Sequence, residues 1–139
     1  MFSIKTLADL QGLPVEQEGH GLTLGLLRYL RSFFLELYEA FSEGQSLEAF
    51  TLEPHGYFMI LERVAELRLL YKEDPLSGGY GLLKSRVEYV ERLACEDGSE
   101  WFKVALLDDH DFMMFYFLSA QNLSEEEEAF LCDDSFSLF

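Results

Sequence analysis

The sequence predicts an α+β fold in which an antiparallel sheet of about four to five strands packs against one long helix. Two observations support this fold class. Residues 112–118 are the most continuously apolar stretch, and residues 22–42 carry apolar side chains at three- and four-residue steps. The chain has 139 residues, which is the usual size of one domain, so we expect a single α+β domain over residues 1–139.

The predicted sheet is centred on a meander over residues 84–118. Residues 112–118 (FMMFYFL) form its central strand, because an apolar run of this length is typical of a strand that is covered on both faces. Residues 84–93 alternate between apolar and charged side chains, which indicates a strand with one face in water. An Asp-Gly pair at residues 97–98 predicts the hairpin turn into a strand over residues 101–107.

Besides the long helix at about residues 22–42, the sequence predicts short N- and C-terminal helices over residues 6–11 and 125–131. In a capping box, a Ser or Thr before the helix and an acidic side chain three residues later satisfy the first backbone N–H groups. This spacing occurs in the pairs Thr6 and Asp9, and Ser124 and Glu127.

The segment between the long helix and the meander is harder to interpret. Residues 57–61 are predicted as a buried strand after a Pro-His-Gly turn. Residues 62–71 fit both an alternating and a helical period, and a helix would gather on one face Leu61, Val64, Ala65 and Arg68. We expect a strand over residues 62–71, because the run leads directly into a Glu-Asp-Pro breaker.

The charge of the chain is its strongest global signal. There are 26 Asp and Glu against 10 Lys and Arg, which gives a formal net charge of -16. Residues 104–139 hold 9 of these acids and no Lys or Arg. Such a field repels nucleic acid and anionic membranes, so we expect no direct binding to either. A basic protein partner is favoured instead.

Three further features bear on location and assembly. The two cysteines, Cys95 and Cys132, and the lack of a recognisable secretion signal favour the cytoplasm. Four charged residues interrupt the apolar segment at residues 22–41, so it is not expected to cross a membrane. Exposed aromatic side chains leave a homodimer open as an alternative.

Catalytic, metal and cofactor patterns are weak in this sequence, and we expect no cofactor. Residues 78–85 depart from the phosphate-binding loop pattern at Leu83, where glycine is required. A Cys-His nucleophilic pair would draw on Cys95 with His20 or His55, but no spacing supports it. The weak metal candidates are oxygen and imidazole ligands in one predicted turn: Asp108, Asp109, His110 and Asp111.

The acidic C-terminal end is the candidate partner-binding site. Carboxylates would steer a positively charged protein, and neighbouring aromatic side chains would anchor it. The proposed set is Glu125, Glu126, Glu127, Glu128, Asp133, Asp134, Phe136 and Phe139. The alternative for the same residues is a well-capped helix and tail whose charges serve solubility.

These features lead to two functional hypotheses. The first is a small acidic interaction module that binds and masks a basic protein, as an inhibitor, an immunity or anti-defence protein, or a secretion chaperone does. The second is a small enzyme or ligand-binding protein with a pocket between the long helix and the sheet. The missing catalytic pattern favours the first hypothesis, and with it a protein that is not an enzyme.

Overall fold

A computed structural model describes residues 2–13, 22–52, 56–70, 86–107, 113–132 and 137–138. Its helices in these residues are α1 (Leu7–Gln11), α2 (Leu24–Phe41), α3 (Val64–Leu70) and α4 (Glu125–Leu131). Its strands are β1 (Phe2–Ile4), β2 (Gly56–Leu61), β3 (Val87–Ala94), β4 (Glu100–Leu107), β5 (Met113–Ser119) and β6 (Ser137–Leu138). A 3-10 turn at Ala120–Asn122 follows β5.

The strands form one mixed sheet in the order β1-β2-β5-β4-β3-β6. The predicted meander is confirmed, because β3 pairs with β4 and β4 with β5, both antiparallel. The prediction of a purely antiparallel sheet is wrong. Strand β2 lies parallel to β5, with Phe58 opposite Phe115, and β6 lies parallel to β3. Two parallel strands need a long connection between them. In the sequence, α3, β3 and β4 all lie between β2 and β5.

The central strand β5 is buried on both faces, as its sequence predicts. Phe115 and Phe117 lie in a cluster with Leu26, Leu30 and Phe34 of α2. The alternate residues of β5 lie in a second cluster on the other face, where α3 and α4 cover the sheet. That second cluster includes Met114, Tyr116, Leu118, Val64, Leu67, Phe130 and Leu131. The sheet is therefore a middle layer between α2 on one side and α3 with α4 on the other.

The predicted long helix is confirmed as α2. Thr23 caps its first turn, because the Thr23 hydroxyl accepts a hydrogen bond from the Leu26 N–H at 3.2 Å. The buried residues of α2 lie on one face of the helix. The helix ends at Phe41 with Ser42 as its C-cap, and the chain then continues through two residues with positive φ, Glu43 (47°) and Gly44 (87°).

The prediction of a strand over residues 62–71 is wrong, because residues 64–70 form α3. Val64 and Leu67 are both buried and lie one turn apart, so the helical period governs this segment. Ala65, which an alternating strand would have put on the same face as Leu67, is exposed. The first turn of α3 is held by a carboxylate that lies 63 residues later in the sequence, Glu127.

Candidate interaction site

Helix α4 begins at the predicted capping box. The Ser124 hydroxyl accepts a hydrogen bond from the Glu127 N–H at 3.2 Å, and the Glu127 carboxylate accepts one from the Ser124 N–H at 3.2 Å. Four consecutive glutamates fill the first turn, where negative charge is favourable to the helix dipole. Buried Phe130 and Leu131 fix the helix against the sheet.

Glu127 points into the fold and is only 6% exposed. Its Oε1 accepts hydrogen bonds from Arg63 Nε and Nη2 at 3.0 and 2.6 Å, and its Oε2 accepts one from the Val64 N–H at 2.8 Å. Burial opposes ionisation, but the hydrogen bonds from Arg63, Ser124 and Val64 outweigh it and lower the pKa of Glu127. The carboxylate of Glu127 thus joins α3 to α4 and is not available on the outer surface.

The other three glutamates of this turn define an outer surface, which we call the acidic face (Glu125, Glu126 and Glu128). Glu125 and Glu126 are exposed, and Glu128 is half-buried. Among the described residues, no Lys or Arg forms an ion pair with Glu125 or Glu126. Arg92 of β3 donates a hydrogen bond to Glu100, and this bond, together with the nearby charge of Glu128, raises the pKa of the guanidinium. The acidic face therefore adjoins the outer part of β3.

Several predicted site residues, and others that were weighed as candidates, lie outside the described part of the chain. These are Asp133, Asp134, Phe136, Phe139, Asp108, Asp109, His110, Asp111, the Gly78 to Gly81 loop, His20 and His55. Within the described ranges, no group of three or more His, Cys, Asp or Glu is arranged to hold a metal ion. The helices in those ranges include none that is long and apolar enough to cross a membrane.

Lys103 of β4 is a buried charge that the sequence analysis does not single out. Its Nζ donates to the Tyr29 hydroxyl at 2.9 Å and lies 3.1 Å from Oε2 of Glu91. The ammonium also lies near four aromatic rings, with the ring centroid of Phe33 closest at 4.1 Å. The others are the rings of Tyr29, Tyr89 and Phe115, at 5.6, 5.3 and 5.7 Å. The charge is thus held by an ion pair, a hydrogen bond and cation–π contacts.

The surroundings of Lys103 keep it protonated. Burial alone would lower the pKa of this ammonium, but the Tyr29 hydroxyl and the Glu91 carboxylate outweigh it and raise the pKa. A catalytic lysine needs the opposite shift, because only the neutral amine is a nucleophile or a base. Burial also raises the pKa of Tyr29, which keeps its hydroxyl neutral. This cluster is therefore suited to joining α2 to the sheet and not to general-base chemistry.

A cleft opens beside this cluster, between α2 and the outer part of β3. Its volume is about 420 Å³. Gly25, Arg28, Tyr29 and Ser32 line it from the helix, and residues 91–96 line it from the strand and its turn. We call it the strand-edge cleft. Arg28 and Glu96 form a 3.6 Å ion pair between exposed side chains across the two walls.

A second depression lies at the other end of α2 and is almost entirely apolar. Leu37 and Phe41 of α2 face Leu52, Tyr57, Phe58, Met113 and Phe115 around a volume of about 240 Å³. We call it the helix-end groove. Phe41 is 40% exposed at its rim.

The predicted hairpin turn holds the start of α2. Asp97 accepts hydrogen bonds from the Gly25 N–H at 2.9 Å, from the Ser99 N–H at 3.1 Å and from the Ser99 hydroxyl at 2.6 Å. A Cβ on Gly25 would clash with the Asp97 carboxylate, so the hydrogen-bonded approach of this carboxylate to the helix start requires glycine. The hydrogen bond from the Ser99 hydroxyl, with those from the Gly25 and Ser99 N–H groups, lowers the pKa of Asp97 from 3.8 to about 2.

Cys95 does not have the properties of a catalytic nucleophile. Burial raises the pKa of its thiol, with Ser99 acting in the opposite direction and Asp97 in the same one. The thiolate is the reactive form, so a raised pKa lowers reactivity at neutral pH. Cys95 and Cys132 are both free thiols.

Comparisons with known proteins returned no relative from which a role could be carried over. No protein-family model matches the chain, and no curated protein and no solved structure is significantly similar to it.

Replacing Glu127 separates its structural role from the charge of the acidic face. Glu127→Ala leaves the N–H groups of Val64 and Ser124 and the guanidinium of Arg63 without their acceptor. We expect a loss of about 2–3 kcal/mol in the free energy of unfolding, measured by urea denaturation. The matched variant Glu126→Ala removes the same charge from an exposed position and is expected to change stability by less than about 0.5 kcal/mol. Equal effects of the two variants would contradict the inward role of Glu127.

The lowered pKa of Asp97 predicts a loss of stability in acid. A carboxyl group with a folded-state pKa below its unfolded value stabilises the fold above the unfolded pKa. For Asp97 this contribution is complete above about pH 4 and is lost as the pH falls to about 2. We expect Asp97→Asn to lower Tm at pH 6 and the difference from the unmodified protein to shrink between pH 4 and pH 2, measured by circular dichroism. A difference that stays constant over this range would contradict the account.

Proposed function

We propose that the protein is a small acidic interaction module that binds and masks a basic protein partner through the acidic face. The observation that carries this proposal is that the glutamates of one helical turn have different roles. Glu127 is buried and forms an ion pair with Arg63. Glu125 and Glu126 are exposed and form no ion pair among the described residues. The charge is therefore presented by a helix that packs against the sheet.

Fixed carboxylates suit protein recognition for a physical reason. A side chain on a packed helix loses less conformational freedom on binding than one on a mobile segment, so more of the Coulomb attraction remains as affinity. The net charge of -16 extends the attraction beyond contact distance and raises the rate of encounter with a cationic surface. The predicted contribution of Asp133, Asp134, Phe136 and Phe139 would add charge and apolar anchors to the same partner surface.

The proposal includes a class and a location. Masking of a basic surface is the activity of an inhibitor, an immunity or anti-defence protein, or a secretion chaperone. Direct binding of nucleic acid is not part of it, because a phosphate backbone would be repelled. A cytoplasmic location is favoured by the two free cysteines, since exposed thiols persist in a reducing compartment.

The second candidate function is binding of a small apolar ligand in the helix-end groove. This groove lies between the long helix and the sheet and is lined by aliphatic and aromatic side chains. Apolar lining of this kind is typical of small-molecule sites. A thermal-shift screen of hydrophobic compounds tests it, with Phe41→Ser as the variant that should abolish any shift.

Charge substitutions test the main proposal. The variant Glu125→Gln, Glu126→Gln, Glu128→Gln removes three charges from α4 and keeps the shape of the side chains. We expect the tagged protein to retain a basic partner from lysate of its own source at low salt and to release it at high salt, because exposed charges are screened. The triple variant should lose most of this retention, as measured by quantitative mass spectrometry of the bound fraction.

A second triple variant provides the matched control. Glu36→Gln, Glu39→Gln, Glu43→Gln makes the same change in net charge at exposed positions in and just after the C-terminal half of α2. Retention by this variant should stay close to that of the unmodified protein. Equal losses in both triple variants would show that only overall charge matters and would remove the acidic face from the proposal.

A further inference from the structure

In the described part of the chain, a neighbouring strand pairs with only the first half of the outer edge of β3. β6 pairs with Tyr89 and Val90, in parallel, through Ser137 and Leu138. Strand β3 continues for four more residues, to Ala94. Within the described ranges, no strand pairs with this second half on its outer side. An uncovered edge presents backbone donors and acceptors to any extended chain.

The hairpin hydrogen bonds show which of these backbone groups point outward. The Cys95 N–H donates to the Ser99 carbonyl at 2.9 Å, so Cys95 and Ser99 form a hydrogen-bonded pair. Such pairs alternate along an antiparallel ladder with pairs whose N–H and C=O groups point away. Counting back through the observed register, Ala94 opposite Glu100 and Arg92 opposite Phe102 direct their backbone groups to the outside. Val90, which has the same parity, is a residue that β6 covers.

On both faces of the sheet, residues next to this edge could contact the side chains of an added strand. On one face lies the strand-edge cleft, where Tyr29 and Ser32 of α2 face β3. On the other face lie Glu100, which pairs with Arg92 at 2.9 Å, and Glu128 of the acidic face. Alternate side chains of an extended segment would therefore enter the cleft and approach the carboxylates.

We propose that β3 accepts an extended, cationic segment of the protein partner as an added strand along Arg92 to Ala94. The edge already takes a strand at Tyr89 and Val90, so the added segment would continue the interface that β6 begins. Basic side chains at every second position of the added segment would face Glu100 and Glu128. A second copy of the chain is disfavoured as the occupant, because two molecules with a net charge of -16 repel each other.

This inference rests on the proposed function, since it names how the basic partner docks beside the acidic face. The probe is an end-capped eight-residue peptide of alternating valine and lysine, added to the complete protein labelled with nitrogen-15. Amide hydrogen exchange provides the direct readout. In the free protein we expect fast exchange at Arg92 and Ala94 and slow exchange at Glu91 and Leu93, which point toward β4. Saturation with the peptide should protect Arg92 or Ala94, or both.

A pair of substitutions at one position gives the second readout. Ala94→Pro removes the outward N–H without removing a bond to β4, and Ala94→Ser keeps that N–H. We expect Ala94→Pro to weaken peptide binding about tenfold and Ala94→Ser to change it by less than about twofold. If Ala94→Pro does not fold, the exchange measurement on the unmodified protein decides alone.

The outcomes separate this inference from the proposed function. Protection at the β3 edge supports the inference, and weaker binding to the glutamine variant of the acidic face supports the proposed function. Salt-sensitive peptide binding without protection at Arg92 and Ala94 would overturn strand addition and leave the acidic face standing. Absence of binding at low salt would also overturn strand addition. Protection that rises with protein concentration in the absence of peptide would assign the edge to a second copy and overturn the choice of occupant.

Discussion

The fold depends on one constraint, which is that β5 is apolar on both faces and must be covered on both. Helix α2 covers one face through Leu26, Leu30 and Phe34, and α3 with α4 covers the other. Residues 114–119 of β5 are all buried, so both faces of this strand contribute hydrophobic stabilisation. Helix α4 buries Phe130 and Leu131 against the sheet, while Glu125 and Glu126 of its first turn remain exposed.

Some charged side chains form ion pairs within the layered fold, and other acids lie outside it. Ion pairs in the described part of the chain include Arg28 with Glu96, Arg63 with Glu127, Arg92 with Glu100, and Lys103 with Glu91. With 26 acids and 10 bases in the chain, these pairs leave a large excess of carboxylates. The pair of Lys103 with Glu91 joins β4 to β3, and the pair of Glu127 with Arg63 joins α4 to the start of α3, so both have structural roles. The acids that remain outside give the surface its negative field.

Local signals predicted the elements that local physics determines. The apolar run of β5, the period of α2, the Asp-Gly hairpin and both capping boxes depend on residues close together in the sequence, and all are present in the structure. The parallel pairing of β2 with β5 depends on residues more than fifty positions apart, and nothing in either strand specifies its direction. Helix α3 was missed for the same reason, since its first turn is held by Glu127 and its apolar residues fit two periods.

The features of the candidate site also divide into those that the sequence predicts and those that depend on tertiary contacts. The acidic composition of α4 is visible in the sequence, but the inward rotation of Glu127 and the burial of Lys103 follow from tertiary contacts with Arg63 and with Tyr29 and Glu91. A lysine in the middle of an apolar strand is a local sign of a buried pair, although it does not identify the partner. The edge of β3 becomes visible only when the register with β4 and β6 is known.

Zero-length crosslinking tests the central claim most directly, because a carbodiimide joins a carboxylate only to an amine in contact with it. The protein would be crosslinked in lysate of its source at low salt, and the linked peptides identified by mass spectrometry. The account predicts links from Glu125, Glu126 or Glu128 to lysines of one basic protein. Links confined to Glu36, Glu39 or Glu43, or none to any basic protein, would contradict it.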